Sequence, residues 1–402
     1  MQQNLPNDLE LILGDRSFFD KCENVKVRKI FDAAVIDFLD IVSKKLLSDK
    51  DAKGYSDIVT FAFWIRKASL SRYMLRYRKD EKDIVVGKGI IFHVAPSNVA
   101  MNFAYSLVAG LLAGNINIVR IPSKVFPQTD IVVRAMKEAI KENREIGDYI
   151  CLVKYGHNTA INDLLSGLSD VRVVWGGNDT IAVFRQSPLK PRATEILFAN
   201  RFSLAVVDSD EYIKSEDKDK IALDFYNDTY LMDQNACSSP KIVIWTGKEI
   251  TDAKIIFWNE LHKVIKIKYD YQQIQGVNKY LDACLTASKL DKVRIEPSVD
   301  NLITRVSVGE LDERIIDCFG NSGFFLEYDT SDLSDIRRIC NDNKCQTITY
   351  YGDVKMFDVV EVFSLKGVDR IVPFGKSMDF NLIWDGYDLI AHLSRIISIR
   401  TK

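Results

Sequence analysis

What is scarce in this chain narrows its class. Lys and Arg number 54 against 56 Asp and Glu, a net charge of −2, so neither nucleic acid nor an anionic membrane surface is an expected partner. No apolar run approaches the ~20 residues of a membrane helix. The longest candidate, around Phe103–Ala113, is short and rich in small residues, and no membrane insertion is expected. The opening MQQNLPNDLELILGDRS lacks the basic stretch and apolar core of a secretory signal. Seven widely scattered cysteines, an odd number, suit reduced thiols in a cytoplasm rather than a disulfide framework. Histidine is scarcer still: His93, His157, His262 and His392 are the only four, and none has a signature environment. No GxGxxG, internal repeat or Pro/Gly/Ser-rich linker is present. What remains is a cytoplasmic globular protein of enzyme size.

The 402 residues, 47% apolar and 27% charged, suffice for two or three domains at about 100–200 residues each. From Val27 to Tyr77 apolar residues recur every three or four positions, as in VRKIFDAAVIDFLDIVSKKLL, and predict helices. From Ile84 the rhythm changes. IVVGKGIIFHV reads as a strand, PSN as a turn and VAMNFAYSLVAGLLAG as a buried helix closed by glycine. NINIVRI, YICLVKY and DVRVVWGG read as strands, with helices at TDIVVRAMKEAIKENRE, NTAINDLLSGLS and NDTIAVFR. Such alternation predicts a doubly wound parallel sheet, with ligands bound outside the carboxyl ends of its strands. Near Val206 a second α/β unit begins: KSEDKDKIALDFYNDTYLM as helix, SPKIVIWTG as strand, TDAKIIFWNELHKVIKI as helix.

Between the first helix and first strand of that second unit, Leu231–Lys241 reads LMDQNACSSPK. Amide-rich residues before Cys237 and two serines after it suit a partly exposed thiolate better than a packed core. Cys22, Cys151, Cys284 and Cys318 sit in apolar or helical patterns and read as inert core thiols. Cys340 and Cys345 form a C-x4-C pair with no second ligand pair, so no metal is expected. Gly176–Asp179 (GGND) is either a plain strand-to-helix turn or a phosphate cradle in which Asn178 caps the next helix. Arg120–Lys124 (RIPSK) is either a solvated loop or two cations and a hydroxyl at a strand end. The basic stretch Arg66–Lys79 reads as a solvated helix face, and Asp208–Lys220 as a loop with acids at a helix start.

The segments HVAPSNVAMNFAYSLVAGLLAGNINIVRIPSK, VVWGGNDTI, DQNACSSPKIVIW and DRIVPFGKSMDFNLIWDGYDLI, in this order, resemble the aldehyde dehydrogenase superfamily. More narrowly they resemble its LuxC-type acyl-CoA reductases, the reductase component of the fatty acid reductase that makes aldehyde for bacterial luciferase. The resemblance spans about Ile84 to Ile390. It implies a parallel-sheet cofactor domain and a second α/β catalytic domain, with the nucleophilic cysteine between them. The corresponding division is an N-terminal helical segment (1–80), a nicotinamide cofactor-binding domain (81–205), a catalytic domain (206–366) and a C-terminal segment (367–402) returning to the cofactor domain or an oligomer interface.

Residue by residue, the resemblance makes Cys237 the nucleophile and Asn98 an oxyanion-hole amide. Arg120, Ser123 and Lys124 fall near the adenosine ribose, and Ser123 replaces the glutamate frequent in NAD-preferring members. Gly176, Gly177 and Asn178 face the pyrophosphate. Asp317, in DCFG, matches the glutamate that holds the nicotinamide ribose, although the family's following proline is missing. In hydrolytic members a glutamate activates water, and Leu197 stands at that position here. The implied activity is NADPH-dependent reduction of a fatty acyl-CoA or acyl-protein thioester to a long-chain aldehyde. Implied partners are the acyl donor, an acyl-protein synthetase and further copies of the chain in a dimer or tetramer. The alternatives are an aldehyde dehydrogenase working toward the acid, an acyl-phosphate reductase of small polar substrates, and an acyl-carrying subunit with little turnover.

Overall fold

The computed structural model describes residues 5–77, 83–341, 344–353 and 365–400. The proposed boundary at 81, Arg78 and Lys79 of the basic stretch, and the 354–364 part of the expected catalytic segment lie outside the described residues. By their contacts the residues fall into two units, Met1–Ala199 with Phe380–Lys402, and Asn200–Asp379.

In the first unit α1 (Ser17–Lys21) precedes the helical periodicity, which forms α2 (Ala33–Ser48), α3 (Ser56–Trp64) and α4 (Lys67–Arg76). Asp32 starts α2 by accepting from the Ala34 N–H. Val35, Phe38, Leu39, Val42 and Leu46 then repeat at helical spacing on its buried face. The strands are β1 (Glu10–Leu13), β2 (Asp83–Gly87), β3 (Ile90–Val94), β4 (Ile116–Arg120), β5 (Ile150–Lys154), β6 (Val171–Trp175) and β7 (Thr194–Phe198). All but β2 form one sheet in the order β1-β5-β4-β3-β6-β7. Its strands are parallel except β1, which lies antiparallel on the β5 edge. Helices α5 (Asn102–Leu112), α6 (Pro127–Glu142), α7 (Thr159–Leu168) and α8 (Asn178–Arg185) make the crossovers. The chain runs outward from β3 to β5 and returns to β6 on the other side of β3. The carboxyl ends of β3 and β6 therefore flank a topological switch point.

Two local expectations are corrected. β1 carries too short a pattern to stand out, and only its pairing with β5 makes it a strand. IVVGKGIIFHV is two strands, because the chain turns at Lys88–Gly89 and β2 pairs instead with the strand Ser394–Ser398. Asn115 holds that turn. Its buried Oδ1 accepts from the N–H groups of Lys88 (2.7 Å) and Gly89 (3.1 Å). Its Nδ2 donates to the carbonyls of Gly110 (3.2 Å) and Leu393 (2.9 Å).

In the second unit the strands are β8 (Phe202–Asp208), β9 (Pro240–Thr246), β10 (Arg294–Ile295), β11 (Thr304–Ser307), β12 (Phe324–Asp329), β13 (Cys345–Tyr351) and β14 (Arg370–Pro373). They form a sheet ordered β10-β11-β12-β9-β8-β13-β14, parallel except for β10. Helices α9 (Ser209–Lys214), α10 (Lys218–Thr229), α11 (Ile250–Lys268) and α12 (Gln273–Lys289) complete it. The segment expected as one helix from Lys214 is thus divided, with only Lys218–Thr229 in α10. Strand alternation sends Ala205, Val207, Val243, Trp245 and Phe325 to a core shared with Phe225, Phe257 and Trp258. Leu204, Val206, Ile242, Ile244 and Leu326 enter the opposite core with Ala283, Ile315 and Ile339. Both faces are covered, which is why these strands read as continuous apolar runs.

Removing the Asn115 side chain takes the partner from two partly buried N–H groups and from the Leu393 carbonyl, while the Gly110 carbonyl keeps the Asn115 N–H (3.1 Å). At about 1–3 kcal/mol for a stranded buried group, with partial relaxation, Asn115→Ala is expected to destabilise the first unit by about 2–4 kcal/mol. The measurement is the urea midpoint, and a midpoint within error of wild type contradicts this role.

Candidate active site

Cys237 is exposed, on the loop that enters the amino end of β9. After α10 and a turn of 3-10 helix at Tyr230–Met232, Asp233 (φ 51°) and Gln234 (φ 52°) are both left-handed. Two successive non-glycine residues in that region cost about 1–2 kcal/mol each, so the loop must be held. Gln234 is fully buried, and its side chain uses all four hydrogen-bonding positions. Nε2 donates to the carbonyls of Pro240 (3.0 Å) and Phe324 (3.3 Å). Oε1 accepts from the N–H groups of Gly323 (2.7 Å) and Phe324 (3.2 Å). The Asp233 carboxylate accepts from the Tyr269 hydroxyl and from Gln275 Nε2 (3.3 Å). On the other side the Ser203 hydroxyl donates to the Cys237 carbonyl (2.7 Å) and accepts from the Thr347 N–H (3.2 Å). The loop is fixed from both flanks.

Two further polar side chains stand at this loop. Gln346, fully buried on β13, places Nε2 3.0 Å from Cys237 Sγ. Lys241, at the start of β9, donates to the carbonyls of Gln234 and Gly320 (3.0 Å) and to Asn321 Oδ1. It therefore ties the cysteine loop to the turn that follows DCFG. Burial pushes its ammonium down to about 8, against the opposing pull of Asp233, Cys237 and Asp282.

A third support comes from the PFGKSMD loop. The buried Asp228 carboxylate accepts from the Gly375 N–H (2.8 Å), the Ser377 N–H (2.9 Å) and the Ser377 hydroxyl (2.8 Å). Arg370 donates to the carbonyls of Ser377 (3.1 Å) and Lys376 (3.2 Å). Gly375 is required here: its φ is +79°, and a Cβ would stand 2.8 Å from Asp224 Oδ1. The loop so pinned brings Met378 Sδ within 3.4 Å of the Ser238 hydroxyl, one residue from the cysteine.

Asp317 is exposed at the end of the 3-10 segment Glu313–Cys318, and its carbonyl accepts from Lys289 Nζ (3.1 Å). It belongs to the second unit with Cys237. The other expected residues lie in the first unit, at the carboxyl ends of three strands. Asn98 is exposed in the turn after β3. Arg120 closes β4, packs over Tyr155 (4.6 Å) and donates to the carbonyls of Tyr155 (3.3 Å) and Gly156 (3.4 Å). Ser123 and Lys124 are exposed just beyond, with Lys124 Nζ over the Phe126 ring (5.0 Å).

Gly176 and Gly177 join β6 to α8, and a Cβ on Gly176 would stand 2.9 Å from the Thr180 side chain. The expectation that Asn178 caps α8 is corrected: Gly177 is the N-cap and Asn178 the first helical residue, without a capping side-chain bond. Trp175, before this turn, stacks on Phe198 at 3.5 Å and donates to the Ser106 hydroxyl (2.9 Å). Asn117 Oδ1 can only accept, so His93 Nε2 carries the proton toward it (3.1 Å), and the Ser106 hydroxyl donates to the bare Nδ1 (2.7 Å). Burial lowers His93 to about 4, so it is neutral and structural. Leu197 is half-buried on β7, opposite Val174 of β6.

Cys284, read as a core thiol, is exposed on α12 because the outward side of that helix is unexpectedly apolar, with Val277, Leu281 and Leu285 also exposed. Cys22, Cys151, Cys318, Cys340 and Cys345 are buried. Burial pushes the Cys22 thiol up to about 11 and raises Cys151 and Cys318 as well. Among the described residues no group of His, Cys, Asp or Glu could hold a metal, and no helix is long and apolar enough to cross a membrane. Sequence reasoning missed Gln234, Lys241, Gln346, Asp228 and Arg370. Gln234 and Lys241 stand in the quoted cysteine stretch, where a polar residue next to an apolar strand was the available signal. The other three had none.

Burial raises Asp228 to about 6 against the hydrogen bonds it accepts, with Asp224 adding repulsion. The folded state thus holds this proton more tightly than an unfolded aspartate near 4. Its contribution is complete below about pH 4 and is lost as pH rises through about 6. Between pH 7 and 5 the stability of wild type relative to Asp228→Asn is expected to increase by about 1 kcal/mol. Parallel unfolding curves at the two pH values check this, and a constant difference contradicts it.

A family model described as acyl-CoA reductase (LuxC) matches residues 65–396. The long-chain acyl-protein thioester reductase of Vibrio harveyi is 24% identical over 324 residues, 77% of this chain and 63% of that protein. The protein of the same name from Aliivibrio fischeri is 22% identical over 323 residues, 77% of this chain and 64% of its own length. The chain thus spans under two thirds of these relatives. Among solved structures, an NADP-dependent enzyme of E. coli superposes with a TM-score of 0.65 at 12% identity, covering 95% of this chain and 89% of that one. A NAD-dependent benzaldehyde dehydrogenase from Corynebacterium glutamicum gives 0.64 at 12% identity with the same coverage. The fold is that of the aldehyde dehydrogenases, and, with a match running through both sheets and the cysteine loop, the chain belongs to the LuxC acyl-CoA reductase family.

Proposed function

We propose that this protein reduces a fatty acyl thioester, carried on coenzyme A or on a protein, to a fatty aldehyde through an acyl group held on Cys237. The observation that carries this reading is the exposed Cys237, fixed by Gln234 and Ser203 with an N–H donor at its sulfur. The thiolate attacks the acyl carbonyl, and the donor thiolate leaves as the Cys237 thioester forms. The Asn98 amide and the Cys237 N–H serve as donors to the acyl oxygen, the roles their matching positions imply. A nicotinamide cofactor, when bound, supplies hydride to the acyl carbon. The thiohemiacetal on Cys237 then collapses to aldehyde and free thiolate. Leu197 in place of a carboxylate removes a base that would send the thioester to acid. The relatives named for acyl-protein thioester reduction favour this direction.

The cofactor side fits the first unit. Gly176 and Gly177 let backbone approach a pyrophosphate at the switch point. The exposed Ser123 and Lys124 follow β4, and no carboxylate occurs from Arg120 through Phe126. Such a setting offers charge-assisted hydrogen bonds to a 2′-phosphate, which favours NADPH. Asp317 is the candidate for the nicotinamide ribose. An acyl-protein synthetase as donor and assembly into a dimer or tetramer belong to the same reading, as does a cytoplasmic setting for a reduced thiol.

The decisive experiment incubates the protein with a panel of acyl-CoAs, with and without reduced cofactor, and follows intact mass and aldehyde. Wild type should gain one acyl group, discharged by NADPH as aldehyde. Cys237→Ser should retain its fold and lose both signals, because an alcohol is a far weaker nucleophile than a thiolate. Acyl transfer persisting on the Ser variant assigns the chemistry to another residue.

For the cofactor, kcat/KM with NADPH is expected to exceed that with NADH, and Ser123→Glu to reverse the order by repelling the phosphate and accepting from free ribose hydroxyls. Equal values in wild type, unchanged by Ser123→Glu, remove this loop from the cofactor site.

A further inference from the structure

A cysteine nucleophile ordinarily draws its thiolate from a histidine partner, and the second unit, which carries Cys237, contains a single histidine. His93 is buried in the first unit between Ser106 and Asn117, His262 is paired with Asp300 at 2.7 Å, and His392 bonds the Asp388 carbonyl at 2.8 Å. His157 is exposed after β5 in the first unit.

The strand register of the second sheet supplies another device. Between β8 and β13, Phe202 pairs with Cys345 and Ser203 with Thr347, so Gln346 is an extra residue in β13. Between β8 and β9, Ser203 pairs with Pro240 and Leu204 with Ile242, so Lys241 is an extra residue in β9. Bulges are uncommon in parallel pairing and re-aim the side chain they insert. Here two of them flank Ser203, whose hydroxyl donates to the Cys237 carbonyl. Each carries a polar donor where regular alternation would place an apolar residue. Gln346 is directed at the sulfur itself, 3.0 Å from Sγ, with its Oε1 end accepting from the Thr347 hydroxyl (3.4 Å). That second bond orients the amide so that the N–H end faces the sulfur.

We propose that Gln346, aimed by its bulge, is a catalytic residue that holds Cys237 as the thiolate by donating an N–H to Sγ. Lys241 at the companion bulge adds a cation to the same loop. This inference rests on Cys237 being the nucleophile of the proposed reductase. A donor to the anionic form favours it over the neutral thiol. The donor also releases the sulfur without a proton transfer, so the thiolate reforms directly when aldehyde leaves.

The test is the pH dependence of iodoacetamide alkylation at Cys237, read by intact mass and peptide mapping on the whole protein without acyl donor or cofactor. Gln346→Leu removes the donor. Gln346→Glu keeps the shape but sets a carboxylate against the sulfur, which covers the case in which the Leu variant packs poorly. Both are expected to move the alkylation midpoint upward, by about one pH unit for Leu and further for Glu. That corresponds to about a tenfold slower reaction at pH 7. An alkylation profile of Gln346→Glu superimposable on wild type overturns the proposal. Because the assay involves no acyl transfer, such a result leaves the reductase reading to its own test. Conversely, a shifted profile in a protein that never acylates supports the thiolate role and removes the reductase.

Discussion

The position of Cys237 depends on one buried side chain. Gln234 occupies a backbone conformation that costs free energy, next to another residue in the same conformation. It compensates through four hydrogen bonds to β9 and to the start of β12. At about 0.5–1.5 kcal/mol each, those bonds are of the size needed to offset two left-handed residues. The strained turn and the strands beside it are therefore mutually dependent. Ser203 completes the fixation from β8, and Cys237 stands on a loop whose backbone has little freedom left.

The two sheets gather their candidate site residues at opposite ends. In the first, Asn98, Ser123, Lys124 and the Gly176–Gly177 turn follow the carboxyl ends of β3, β4 and β6, where a doubly wound sheet leaves its crevice. In the second, Ser203, Lys241, Phe324, Gln346 and Cys237 gather at the amino ends of β8, β9, β12 and β13. That edge gathers loops rather than helix starts, and the site there is built from side-chain amides, a hydroxyl and one lysine. The PFGKSMD loop reaches it only because Asp228 and Arg370 grip its N–H and C=O groups from opposite sides.

Much of this was legible in the sequence, for a definite reason. Alternating strand and helix periods, the Gly-Gly turn after Trp175 and the polar stretch around Cys237 are local patterns, and local patterns determine local structure. The misreadings were non-local. β1 is a strand only because β5 offers it an edge, and IVVGKGIIFHV divides only because Asn115, about 26 positions on, takes the Lys88 and Gly89 N–H groups. Cys284 is exposed because α12 turns an apolar side outward, against the ordinary meaning of its pattern.

The amino-acid order by itself determined the two α/β units and the polar setting that leaves Cys237 exposed at the mouth of β9. Only the tertiary structure decided which groups meet that thiol. Gln346 lies 109 residues from Cys237 and reads as one polar position in a strand. A bulge is a mismatch in register between two strands, so no single strand's sequence contains it. Gln346 and Lys241 acquire their aim from pairing with β8, and that pairing exists only once the sheet has formed.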